Sequence, residues 1–272
     1  MRRRKAGLCT IALQETPLVE VIRIASDAGA SAVEVWGQPP HVSYPVDRSA
    51  LESARNEAVR TGVEIVAFGS YFQPGKEVAY DGVRVDVQNQ IEAANALGAR
   101  LIRIWAGSAT YDETREVERH AVYDSIRAFG DKAGTAGMGV VLERHSESLT
   151  HGWDAPLQVL DEIARRNVSL NYQIPYPESV DAYKERSVND YRTLLPRSSH
   201  AHLQNYTVTN EDGLIRTLLK DGIIDYSELG QAARVAGYDG CFMVEFPAEA
   251  RGELSIVEAI ADDVAFIESL SP

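Results

Sequence analysis

Gly139-Val140-Val141-Leu142-Glu143-Arg144-His145 is a short β-branched, apolar run that breaks off in three ionisable residues. An uninterrupted apolar run of this length is the pattern of a strand buried on both faces, as in a parallel sheet. Side chains alternate along a strand, so Glu143 and His145 share one face and Arg144 takes the other. A solvated strand end with a salt bridge is the plainest account of three such residues. Three later strands, however, also end in polar or ionisable groups.

Working outward, the chain alternates strand-like and helix-like segments. Strands are expected at Gly7–Leu13, Ala32–Trp36, Glu64–Phe68, Leu101–Trp105, Gly139–His145, Val168–Gln173, His200–Gln204 and Gly240–Glu245. Helices are expected at Pro17–Ala28, from Asp47 or Ser49 to Arg60, and over Val83–Leu97, Asp112–Ala133, Asp154–Arg166, Val188–Leu195, Tyr226–Ala236 and Leu254–Leu270. Eight β-then-α units of roughly 30 residues predict a single (β/α)8 TIM barrel domain over residues 1–272. A doubly wound open sheet would carry a glycine-rich phosphate turn after an early strand, and none is present.

Composition narrows the function. The net charge of −13 argues against nucleic acid as a partner, because phosphate binding needs a basic surface. Cys9 and Cys241 sit in apolar runs and read as buried thiols, which fits a reducing compartment. The basic start Met1–Lys5 precedes too short an apolar run for a signal peptide, and no stretch approaches a membrane span. A soluble, cytoplasmic protein is expected.

In a barrel of this kind, chemistry sits at the C-terminal ends of the strands. The fifth strand offers Glu143 and His145 there. The sixth offers Asn171 and Gln173 before Ile174-Pro175-Tyr176-Pro177, the seventh His200, His202 and Gln204 followed by Asn205, and the eighth Glu245. Each residue alone has an ordinary structural explanation. A carboxylate, an amide, an imidazole and a second carboxylate from four consecutive strands together make a donor set for a divalent metal.

The chain resembles the xylose isomerase-like barrels, which include sugar isomerases and epimerases, inosose and dehydroshikimate dehydratases, and the AP endonuclease 2 (endonuclease IV) group. The resemblance spans the chain. It is most specific in Gly222-Ile223-Ile224-Asp225-Tyr226-Ser227-Glu228-Leu229 and in Ala236-Gly237-Tyr238-Asp239-Gly240-Cys241-Phe242-Met243-Val244-Glu245, with Ser31–Trp36 similar to the family's second strand. It implies one divalent ion, Mn, Mg, Co or Zn, with Glu143, His202 and Glu245 at ligand positions. Gln173 stands where the family has Asp, so the ligand set Glu143, Gln173, His202 and Glu245 holds two carboxylates rather than three, and a hard cation should bind more weakly. Asn205 stands where many relatives have Asp. The family's usual His after the strand-six ligand is missing, and Tyr176 lies nearby instead.

These residues suit proton abstraction beside a carbonyl, with Glu143 and Glu245 as acid–base groups and His145 as a third. The resemblance implies an isomerase or epimerase of a sugar or keto-sugar, unphosphorylated since no phosphate loop is visible. Its alternatives are a lyase or dehydratase acting on inososes or 3-keto-glycosides, including C-glycoside cleavage, and a non-catalytic barrel dependent on a partner subunit. Homo-oligomers are common in the family. A DNA endonuclease would need three metals, more ligands than six histidines readily supply, and a basic groove. Trp36, Tyr71 and Trp105 lie near the ends of strands two, three and four, where they either stack on a sugar or aromatic aglycone or pack the core and rim, with His200 and Asn205 as candidate polar contacts.

Overall fold

The computed structural model describes residues 6–175, 179–209 and 213–270. Tyr176 and the Met1–Lys5 run lie outside these. Eight parallel strands close into a barrel: β1 (Ala6–Cys9), β2 (Ala32–Trp36), β3 (Glu64–Gly69), β6 (Leu101–Trp105), β7 (Gly139–Glu143), β8 (Val168–Tyr172), β9 (Ser198–Leu203) and β12 (Phe242–Val244). They neighbour one another in chain order, with β12 closing on β1. Two short antiparallel pairs lie outside the barrel: β4 (Ala79–Tyr80) with β5 (Val83–Arg84), and β10 (Asn205–Val208) with β11 (Leu214–Thr217).

The helices are α1 (Leu18–Asp27), α2 (Arg48–Thr61), α3 (Val87–Leu97), α4 (Glu116–Thr135), α5 (Ala155–Ile163), α6 (Val180–Leu194), α7 (Leu229–Val235) and α8 (Ile256–Ser269). Val140, Val141 and Leu142 of β7 are all fully buried, because one face meets the barrel interior and the other the helix layer. The interior is apolar only in part. Cys9, Ala32, Ala67 and Met243 pack together within it, but the C-terminal half is filled by charged and polar side chains.

Several boundaries differ from expectation for local reasons. β1 stops at Cys9 and a 3-10 turn, Thr10–Leu13, follows. α3 begins only at Val87, where Asp86 caps it and Asn89 completes a capping box. α6 begins eight residues early, at Val180, because Ser179 accepts from Ala182 N as its cap. The β10–β11 hairpin falls in a segment that carries no helix or strand expectation.

Candidate active site

The site is built on two carboxylates held in the same manner. Glu143, the last residue of β7, accepts hydrogen bonds at Oε2 from Arg103 Nη1 and Trp105 Nε1. Glu245, the residue after β12, accepts at Oε2 from Gln173 Nε2 at 3.2 Å and from Gln204 Nε2. Each therefore has one oxygen fixed by two N–H donors. The other oxygen of each converges on a single atom, His202 Nδ1, at 3.8 Å for Glu143 and 3.3 Å for Glu245.

Glu34 orients this imidazole. Its Oε2 accepts from His202 Nε2 at 2.8 Å and His200 Nε2 at 2.7 Å, and its Oε1 accepts from Arg103 Nε at 2.6 Å. Burial alone would raise the Glu34 pKa, but His202 and Arg103 outweigh it and hold Glu34 well below the usual carboxylate range. Arg103 links Glu34 to Glu143, and Gly69 leaves room for its guanidinium: a Cβ there would lie 2.5 Å from Nη2. Burial likewise opposes a charge on His202, yet Cys9, Glu34 and Glu245 hold its pKa well above the ordinary value. A cation at Nδ1 would take the place of that proton.

Above this floor opens a pocket of about 300 Å³. One wall is aromatic. Trp36 Nε1 donates to Tyr71 OH at 2.8 Å, and the Trp105 ring stacks on His145 with centroids 4.0 Å apart and 17° between planes. Opposite lie Phe246 and Arg216, the guanidinium 4.3 Å from the phenyl centroid. Arg144 turns from Glu143 as strand alternation requires. It forms a buried two-pronged pair with Asp190 at 2.9 Å and donates to the Gln173 carbonyl. The ionisable end of β7 is thus a buried joint, not a solvated one.

The structure brings Glu143, Gln173, His202 and Glu245 together, with His145, Trp36, Tyr71 and Trp105 lining the pocket. Two expectations are corrected. His200 does not line the pocket: it is fully buried, with its ring bound to Glu34. Asn205 is a structural clamp: its amide donates to the Leu219 and Ile224 carbonyls and accepts from Ile224 N. The chain passes so close there that a Cβ on Gly222 would lie 2.1 Å from Asn205 Cγ. The sequence assigns no role to Glu34 or Arg103, and Gln204 stands among the strand-end residues without one.

One ligand atom each from Glu143, His202 and Glu245 lie within 4.8 Å of one another, all buried. Gln173 Oε1 and His202 Nδ1 are buried without hydrogen-bond partners. Two carboxylate oxygens, an imidazole nitrogen on a ring oriented by the third carboxylate, Glu34, and an orphaned amide oxygen fit a divalent cation.

Residues 22–270 match the xylose isomerase-like TIM barrel family, and the chain belongs to it. Its named relatives include enzymes. A 3-dehydroshikimate dehydratase from Bacillus anthracis is 22% identical over 248 residues, 85% of this chain and 87% of that one. The apo structure of a 3-keto-D-glucoside 4-epimerase from E. coli superposes with a TM-score of 0.69 at 18% identity, covering 98% of this chain and 99% of the other. A xylose isomerase-like barrel from Mycobacterium smegmatis in complex with magnesium superposes at 0.73, with 16% identity over 98% and 96%. Among the described residues, no helix is long and apolar enough to cross a membrane.

Proposed function

We propose that the protein is a divalent-cation-dependent enzyme that epimerises or isomerises a sugar or keto-sugar by moving a proton beside its carbonyl. One observation carries this reading: the unfixed oxygens of Glu143 and Glu245 converge on His202 Nδ1 from separate strands. A carbon seated between them has one carboxylate on each side. One takes the proton, and the other, protonated, returns one to the opposite face or to the adjacent carbon. Arg103 and Trp105 on one side, and Gln173 and Gln204 on the other, prevent the two carboxylates from rotating away. A divalent cation held by Glu143, Gln173, His202 and Glu245 would polarise the carbonyl and stabilise the negative charge that develops on its oxygen. The aromatic wall of Trp36, Tyr71 and Trp105 receives the apolar face of a sugar ring.

A lyase is the second reading, favoured by His145. It lines the pocket on the β7 side, stacked on Trp105, where it can give a proton to a group leaving the neighbouring carbon. Its dehydratase relative agrees with that reading. Both reactions begin with the same proton removal. Ketoses and 3-keto-glycosides incubated in heavy water with manganese or magnesium should take up deuterium. Glu245→Gln should slow uptake by roughly a hundredfold or more. Uptake alone indicates epimerase or isomerase, and loss of a substituent that His145→Ala abolishes indicates lyase. A folded, metal-loaded protein that exchanges nothing in a broad panel would sink the catalytic reading.

A further inference from the structure

The imidazole at the centre of the site belongs to a second donor group. Cys9, Glu34 and His202 each offer a ligand atom, and these atoms lie within 4.8 Å of one another with all three residues buried. Cys9 ends β1 in register with Glu34 on β2, so both side chains enter the barrel beside His202. Donors around a four-coordinate zinc-like ion sit about 3.5 Å apart, so this group needs only a small contraction to close on a cation. His202 is 1% exposed and Cys9 3% exposed, so a cation held between them would be shielded from bulk water. Thiolate is soft where the Glu143–Glu245 group offers hard oxygen, so the two groups sort cations differently.

We propose that Cys9, Glu34 and His202 form a second cation site, selective for thiophilic divalent ions of the zinc and cadmium class, and inhibitory because it shares His202 with the first. Capture of the ion breaks the Cys9 S–H bond, forms an S–metal bond and releases the proton to solvent. Glu34 cannot ligate that ion and still hold His202 Nε2 and Arg103 Nε as it does. The imidazole then loses the orientation that presents Nδ1 to Glu143 and Glu245. The inhibition rests on the proposed activity; the site itself does not.

Cadmium titrated into the magnesium-saturated protein should produce the ultraviolet thiolate-to-cadmium charge-transfer band at one equivalent. Cys9→Ser and Cys9→Ala should lose the band and bind cadmium at least tenfold more weakly. Cys241→Ser, which alters the other buried thiol, should retain it, and so should Glu245→Gln. If a substrate is found, excess cadmium should stop deuterium uptake. A band that survives in both Cys9 variants, or cadmium binding with no thiolate band, would overturn the proposal. Because the band needs no substrate, failure of the deuterium experiment leaves this test intact.

Discussion

At Gln173 the chain places an amide between two demands. Its backbone carbonyl accepts from Arg144, its Nε2 donates to Glu245, and its Oε1 has no partner. If Oε1 faces the cation, Gln173→Asp adds a third carboxylate and should tighten manganese binding tenfold or more, about 1.4 kcal/mol per tenfold step. Calorimetric titration reads this directly, and unchanged or weaker binding would assign Gln173 to substrate instead. Residues such as Gln173 and Glu245 were legible because polar groups at the ends of apolar strands stand out. Glu34 and Arg103 were not, although each is the lone ionisable residue within its strand, in Ala32-Val33-Glu34-Val35-Trp36 and Leu101-Ile102-Arg103-Ile104-Trp105. A mid-strand charge is expensive to bury unless it is paired, and the pairing spans β2, β6, β7 and β9. No local pattern carries that information. The same holds for His200 and Asn205, whose partners lie far off in sequence or on the backbone.

Among the elements, those set by periodicity and caps were the legible ones, and the β10–β11 hairpin was not. α8 illustrates what an element adds beyond its apolar stripe. Asp263 on its buried side accepts from Leu219 N at 2.7 Å and so ties the helix to the segment after the hairpin. Burial raises its pKa to about 7, above the roughly 3.9 of an unfolded chain. The folded state therefore holds this proton more tightly. The stabilisation is complete below pH ~4 and disappears as pH rises through about 7, an effect of up to about 4 kcal/mol. Asp263→Asn, neutral at every pH, should melt above the parent at pH 8.5, with the gap narrowing by pH 5 and closing only below pH ~4. Melting curves separated by the same interval at both pH values would refute this account.

For the whole molecule, β/α alternation foretold the architecture, since eight units of roughly 30 residues match a closed parallel barrel in count and size. Strand contacts run unbroken around the barrel, so unfolding should be one cooperative event. Scanning calorimetry should show a single heat-absorption peak, and two resolved peaks would mean independent units. The Glu34 carboxylate has a further consequence, for the order of events as the chain folds. Its partners His200 and His202 lie 166 and 168 residues downstream. Contacts so remote form late, because the loop they close takes in about three-fifths of the 272-residue chain. A nascent chain can therefore assemble its early strands and helices with Glu34 and Arg103 already beside each other. The centre that joins them to His202 comes into being only when the last third of the polypeptide arrives, so a prematurely shortened product would possess no reactive centre.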